Sequence, residues 1–158
     1  MTELIIWNKT IKKLDELKLV GFRVLCPGNQ YLAEIPKASL MLTERISEIR
    51  QVVNPNIQIG AFVVENQTLD EDGYWVAVEV KEYEDIPTDM VTLTIPPQRY
   101  AVLKYTGANS KIVDAYNDLH NWIEDNQYVR LKNRWHIERF YEWMDTEKVN
   151  VELMDTIE

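Results

Sequence analysis

The order of predicted elements repeats once along the chain, and this repeat constrains the fold more than any other feature. Two helices are predicted, over residues 36–52 and 110–125, because apolar side chains recur there at helical spacing. An alternating, strand-like segment precedes each helix, and further strand-like segments follow it. A strand–helix–strand–strand unit of this size cannot bury its own sheet face. We therefore predict an α+β fold in which two pseudo-symmetric βαββ units form one antiparallel sheet with two helices on one face.

The boundaries of these units follow from the alternating segments. The residues predicted to form strands are 20–25, 57–64, 74–83, 90–105, 134–143 and 149–154. The fourth is a strand pair or one long strand interrupted at Pro96-Pro97. Residues 1–19 are assigned to an N-terminal extension, in which 4–17 forms an added strand or a short helix. Residues 20–158 are assigned to a single domain with halves of about 20–85 and 90–154.

Composition and charge narrow the choice of partners. The chain has 26 acidic and 17 basic residues, and its net charge of −9 would repel a phosphate backbone. We therefore expect no nucleic-acid partner, and too few residues precede Val20 to form a helix-turn-helix, which favours a stand-alone protein. There is no signal-peptide pattern, no apolar run of membrane length and a single cysteine, Cys26. A cytoplasmic protein with no membrane partner is therefore expected.

Patterns for metal, cofactor or nucleophilic chemistry are absent from the sequence. The two histidines, His120 and His136, lie far apart and do not combine with Cys26 in a zinc-type spacing. The five glycines form no phosphate-binding loop, and no Ser–His–Asp or Cys–His arrangement stands out. The sequence therefore predicts no metal site and no cofactor.

Residues 134–143 contain the most informative carboxylate of the chain. As a strand, this segment has one apolar face, predicted to pack under the helices: Trp135, Ile137, Tyr141 and Trp143. The other face, predicted to point away from the helices, carries His136, Glu138, Phe140 and Glu142. Glu138 there is either an ordinary residue of a solvated sheet face or the floor of a groove that receives a cation. Aromatic neighbours would add cation–π attraction in the second case, and the parity of the strand favours neither.

Several segments resemble the GyrI-like proteins, a family whose module is also the effector-binding domain of AraC- and MerR-type multidrug regulators. The residues that carry the resemblance are 74–80 (YWVAVEV), 86–90 (IPTDM), 94–103 (TIPPQRYAVL), Gly107 and 137–140 (IERF). The resemblance implies two βαββ units around a pseudo-twofold axis. It also implies binding of amphipathic, often cationic, aromatic compounds in a groove with a central glutamate, which corresponds to Glu138. Phe140 stands where many members carry a tyrosine.

The leading hypothesis is a stand-alone binding protein that senses or sequesters small hydrophobic or cationic aromatic molecules. The candidate ligand-binding residues are Glu138, Phe140, His136, Trp75 and Tyr100. The resemblance also extends to hydrolases of strained, cyclopropane-bearing electrophiles; Glu138 would then activate water and Tyr100 would protonate the leaving group. Inhibition of a protein partner, as in the gyrase-inhibiting members of the family, is a second alternative.

Overall fold

Residues 7–158 are described by the computed structural model, and they form a single sheet with two helices. The strands are β1 (Lys9–Leu14), β2 (Leu17–Val24), β3 (Gln58–Val63), β4 (Tyr74–Val80), β5 (Val91–Ile95), β6 (Gln98–Gly107), β7 (Trp135–Glu142) and β8 (Val149–Ile157). The helices are α1 (Tyr31–Glu44) and α2 (Ile112–Asp125). Every strand pairing is antiparallel, in the order β1-β6-β8-β7-β3-β4-β2-β5. The predicted α+β class is confirmed.

The strand order is pseudo-symmetric. It reads the same from either edge when β1–β4 are exchanged with β5–β8, so a pseudo-twofold axis passes between the central strands β3 and β7. The first strand of each unit pairs with the other unit: β1 lies on β6, and β5 lies on β2. β1 lies within the predicted strand or helix 4–17, of which residues 4–6 lie outside the described residues. The division of the chain at residue 19 stays a prediction.

The two helices differ in how well the sequence predicts them. Helix α2 begins two residues after the predicted start, behind a short 3-10 turn, Asn109–Lys111, and ends at Asp125 as predicted. Helix α1 begins at Tyr31, before Pro36, and ends at Glu44 instead of residue 52. The backbone leaves the helix at Arg45, where φ is −111° and ψ is 12°, and a 3-10 turn, Ile46–Glu48, follows. The apolar spacing continues through this turn, which is why the pattern alone predicts too long a helix.

Both faces of the sheet are buried. On one face α1 covers β2 and β4 through Ala38 and Leu42, and α2 covers β6 and β8 around Leu119. The opposite face forms a core cluster whose buried residues all come from strands of the two units: Leu17, Leu19, Ile59, Ala61, Trp75, Ala77, Ile95, Tyr100, Val102, Ile137 and Met154. The helices therefore cover the two halves of their face separately, and the central strands β3 and β7 lie between them.

The predicted orientation of β7 is wrong. Ile137 and Trp135 pack in the strand-only cluster, whereas Glu138 lies on the helix face. The prediction failed because it assumed that only one sheet face is buried, so that the apolar side of the strand would mark the helices. A β-bulge between Phe140 and Glu142 then changes the alternation, and Trp143 reaches the helix face.

Candidate functional site

A cavity of about 520 Å³ lies on the helix face over the middle of the sheet. Its floor is formed by β3, β4 and β7, and its walls by α1, the turn before α2 and the loop after β7. Aromatic and aliphatic side chains make up much of the lining: Tyr31, Leu32, Ile35, Ile112, Phe62, Val76, Phe140 and Trp143. This size and lining are typical of sites for small organic ligands.

Glu138 is the buried acidic group on the floor of this cavity, with 8% of its surface exposed. Its Oε1 accepts a hydrogen bond from the Tyr74 hydroxyl at 2.5 Å, and its Oε2 accepts one from the Tyr116 hydroxyl at 2.5 Å. Tyr74 comes from β4 and Tyr116 from α2, so the carboxylate is held from both halves of the molecule. No described lysine, arginine or histidine forms an ion pair with it.

Gly60 of β3 makes the contact between Tyr74 and Glu138 possible. It pairs in register with Glu138 across the central pair of strands. A Cβ atom built on Gly60 would lie 1.7 Å from the Tyr74 hydroxyl oxygen and 2.4 Å from the ring carbon that carries it. The missing side chain therefore creates the space in which the Tyr74 phenol lies over the strand and reaches the carboxylate.

The protonation states of the three groups are set by their burial. Desolvation raises the pKa of Glu138, the hydrogen bonds from Tyr116 and Tyr74 lower it in part, and the charge of Asp155 raises it again. The pKa values of the Tyr74 and Tyr116 phenols lie well above the ordinary value, because burial and the Glu138 charge both disfavour a phenolate. Both tyrosines therefore remain hydrogen-bond donors at neutral pH.

A polar cluster fixes α1 beside the cavity. Gln58 of β3 is almost fully buried, and its Nε2 donates to the Ser39 carbonyl oxygen at 3.1 Å and to Thr43 Oγ1 at 2.9 Å. The Ser39 hydroxyl donates to the Gln58 side-chain oxygen. Trp143 Nε1 donates to the same Thr43 oxygen at 3.1 Å, which connects the loop after β7 to α1. The cavity wall is therefore held by specific hydrogen bonds, and the one from Trp143 joins the two halves.

Both charged side chains in the described cavity lining are acidic. The part of the cavity lining that residues 7–158 form includes two carboxylates, Glu138 and Asp72, and no lysine, arginine or histidine. An apolar cavity with this charge disfavours anions, since a bound anion would be desolvated next to negative charge. Cations with an apolar body match the lining.

The structure brings together only part of the predicted site. Glu138 and Phe140 line the cavity. His136 is fully buried on the same face, behind the lining residue Phe62, whose ring it stacks on at 5.7 Å between centroids. Trp75 and Tyr100 lie in the strand-only cluster on the opposite face of the sheet, away from the cavity.

Sequence reasoning missed the two tyrosines that hold Glu138 and the loop residue Trp143. Tyr74 shares its strand parity with Val76, which also lines the cavity, but the parity of β4 did not show which face the helices cover. Tyr116 belongs to the apolar stripe of α2, and this position predicts a core residue. The parity of the strand predicts Trp143 under the helices and opposite to Glu138. The β-bulge, which has no clear sequence signal, brings both residues to the helix face.

A buried ionic cluster lies behind the cavity, between α2 and the end of β8. Asp155 lies 2.8 Å from His120 Nε2, 3.0 Å from Arg130 Nε and 3.2 Å from His136 Nδ1. Burial raises the pKa of Asp155, but the contacts with His120 and His136 and the charge of Arg130 hold it well below the usual range. This cluster ties the helix, two strands and the loop before β7 together.

Residues 7–158 contain neither a membrane-spanning helix nor a group of side chains suited to a metal ion. No helix there is both long and apolar enough to span a bilayer. Within the same residues, no three or more histidine, cysteine, aspartate or glutamate side chains are grouped so that they could hold a metal ion.

The size and lining of the cavity define a class of protein, the domains that bind small molecules. Within this class the chain belongs to the GyrI-like family, because the family model of the GyrI-like small molecule binding domain matches residues 8–156. The family resemblance seen in the sequence is confirmed. None of the curated proteins compared with the chain matches it significantly.

Solved structures share the fold at low sequence identity. One is SAV2435 bound to tetraphenylphosphonium, with a TM-score of 0.70 at 20% identity over 96% of this chain and 94% of that one. The EcmrR C-terminal domain gives 0.69 at 15% identity, covering 98% of this chain and 99% of that one. A hydrolase from Listeria innocua gives 0.54 at 11% identity, covering 95% and 91%.

Proposed function

We propose that this protein binds small lipophilic cations with an aromatic body in the cavity over β3 and β7. The observation that carries this proposal is Glu138, a buried carboxylate that faces an aromatic cavity and has no cationic partner among residues 7–158. An uncompensated buried charge is costly, and a ligand that brings the opposite charge removes this cost. Binding without turnover would serve to sense or to sequester such compounds.

The two tyrosines adapt the carboxylate to such a ligand. They satisfy one lone pair on each oxygen of Glu138 without adding positive charge, so the negative charge remains available. Aromatic rings in the lining, such as Phe62 and Phe140, offer cation–π contacts worth about 0.5–2 kcal/mol each, depending on desolvation. The structural neighbour SAV2435 was solved with tetraphenylphosphonium, a cation of this type, which supports the choice of ligand class.

The test compares ligands of one shape and opposite charge. Tetraphenylphosphonium should bind and tetraphenylborate should not, as measured by isothermal titration calorimetry. Glu138→Gln should keep the fold and weaken cation binding more than tenfold, since each factor of ten corresponds to about 1.4 kcal/mol. Glu142→Gln, on the exposed end of the same strand, is the matched control and should bind like wild type.

The outcomes separate the proposed function from its alternatives. Equal cation affinity in wild type and Glu138→Gln would contradict recognition through this carboxylate. A thermal-shift screen compares cationic and neutral aromatic compounds. If no compound stabilises wild type or Glu138→Gln, the protein-partner alternative is favoured.

Hydrolysis of a strained electrophile is a second candidate, favoured by the protonated phenols beside Glu138. Glu138 would take a proton from water as the water oxygen attacks a ring carbon. The strained carbon–carbon bond would break, and Tyr74 or Tyr116 would protonate the carbon that takes the electron pair. Glu138 would then return its proton to the phenolate through their hydrogen bond. Tyr100 does not fit this role, because it lies on the other sheet face. The fold is shared with a hydrolase from Listeria innocua, and mass spectrometry of a cyclopropane-bearing compound for time-dependent addition of water tests the idea.

A further inference from the structure

We infer that the cavity has a second cation-binding position at Asp72, so that it prefers elongated dications to monocations of the same body. This inference rests on the proposed function and specifies the ligand class further. Asp72 lines the same cavity as Glu138 and is half-buried. Among the described residues, no other one that lines the cavity carries a formal charge.

The start of β4 connects the two carboxylates, Asp72 and Glu138. Asp72 immediately precedes Gly73 and the start of β4, and the first residue of that strand, Tyr74, reaches Glu138 with its hydroxyl group. The Cα atoms of Asp72 and Tyr74 are separated by at most about 7 Å, the span of two fully extended residues. The Tyr74 side chain extends from the end of this segment toward the cavity floor, so Asp72 lies nearer the mouth and Glu138 at the bottom. A ligand that contacts both must therefore carry its positive groups at two ends.

The Asp72 carboxylate forms no ion pair with a lysine, arginine or histidine among residues 7–158. Its Oδ1 accepts hydrogen bonds from Asn66 Nδ2 at 3.1 Å and from the Gly73 amide at 2.9 Å, both uncharged donors. Arg23 is close, but its guanidinium donates to the backbone oxygens of Leu69 and Asp72, at 2.7–3.0 Å, and packs over the Trp75 ring at 4.8 Å. The hydrogen bonds orient the Asp72 carboxylate and leave its second oxygen for a ligand.

A dication uses this arrangement better than a monocation does. A monocation bound at Glu138 leaves the charge of Asp72 uncompensated in a mostly apolar cavity. A second positive group at Asp72 forms a half-buried ion pair, for which about a tenfold gain in affinity is expected. The gain depends on ligand length, because a chain that is too short or too long cannot contact both carboxylates at once.

The test uses α,ω-bis(trimethylammonio)alkanes of increasing chain length and alkyltrimethylammonium ions of the same lengths, titrated by calorimetry. Wild type should bind the dication about tenfold more tightly at one optimal length. Asp72→Asn should remove this preference, because it should weaken the dication about tenfold and the monocation by less. Glu138→Gln should weaken both. Asp70→Asn, an exposed aspartate of the same loop outside the cavity lining, is the matched control and should behave as wild type.

A charge-conserving variant keeps the test decisive if Asp72→Asn disturbs the loop. Asp72→Glu should retain the preference for dications and shift the optimum to a shorter chain. Dication affinity equal to monocation affinity at every length, or equal losses of both in Asp72→Asn, would overturn the second position. The proposed function would survive that result if monocation binding still depended on Glu138. Absence of binding by either series to wild type would overturn the second position, whereas the proposed function is decided by the titration with tetraphenylphosphonium.

Discussion

At the scale of single residues, the site depends on a close approach that only a glycine permits. Gly60 lies under the Tyr74 phenol and opposite Glu138 in the register of β3 and β7. Its backbone does not require a positive φ, so the need for glycine comes from the space above the strand. This explains why a strand in the centre of the sheet tolerates a residue that weakens strands.

We expect Gly60→Ala to separate Tyr74 from Glu138 and to weaken tetraphenylphosphonium binding about tenfold. The added methyl group would overlap the phenol, which must move, and one oxygen of the buried carboxylate then loses its donor at a cost of about 1–3 kcal/mol. Calorimetric titration measures the affinity, and urea unfolding measures the stability. Gly28→Ala is the matched control, since a Cβ there meets no atom within 4 Å. Unchanged affinity in Gly60→Ala would show that the Tyr74 hydrogen bond is dispensable.

Single residues of the site were predictable to different degrees. Glu138 stood out because a carboxylate in the middle of a strand is unusual and because the family resemblance centres on it. Its partners Tyr74 and Tyr116 lie 64 and 22 residues away along the chain, and only the packing of β4 and α2 against β7 brings them to it. Apolar periodicity places each of them on a buried side but does not say what it touches.

At the scale of elements, strand parity predicted which residues share a face but not which face meets the helices. In a sheet with one solvated face, the apolar side of β7 would have pointed to the helices. Here Ile137 packs against strands of both units on the far side, and the helix side can carry His136 and Glu138 because the helices leave the central strands open. The error therefore came from the second buried face, which requires the tertiary structure to recognise.

Asp155 connects several elements, and we expect Asp155→Asn to destabilise the protein by about 3 kcal/mol at neutral pH. Removing one member of a buried ionic cluster leaves the remaining charge, here Arg130, without compensation. The pKa of Asp155 is lowered in the folded chain, so its contribution is present above the unfolded value of about 3.9. It is lost as the pH falls through the folded value, and the difference between variant and wild type should shrink in acid.

Urea unfolding at neutral and acidic pH measures this difference. Asp125→Asn, an exposed aspartate at the end of α2, provides the control and should stay within about 0.5 kcal/mol of wild type. A loss of stability that is equally large in strong acid would mean that packing, and not the charge of Asp155, holds the cluster together.

At the scale of the whole molecule, the repeated order of elements was enough to predict two related units in one sheet. It was not enough to predict that the units exchange their first strands. β1 completes the edge beyond β6, and β5 completes the edge beyond β2, so each unit depends on the other for an outer strand. A strand pairing between distant segments leaves no trace in local periodicity, which is why 4–17 could be read as either a strand or a helix.

This exchange predicts that the protein unfolds as one unit although its sequence repeats. The strand-only cluster takes Leu19 and Trp75 from the first half and Tyr100 and Ile137 from the second. The Trp75 ring also packs edge to face against Trp135, which belongs to the other half, with ring centroids 5.0 Å apart. Separating the halves would expose this cluster and the inner edges of β3 and β7.

We therefore expect urea unfolding followed by tryptophan fluorescence and by far-ultraviolet circular dichroism to give coincident single transitions. A fragment of residues 1–89, which contains β1–β4 and α1, should show no cooperative transition, because it lacks the partner strands β5, β6 and β7. Mixing it with the complementary fragment 90–158 should restore the transition if the exchanged strands can pair between chains. A cooperative transition in either fragment alone would show that one βαββ unit is stable by itself, and the cavity between the helices would then be an interface between two independent modules.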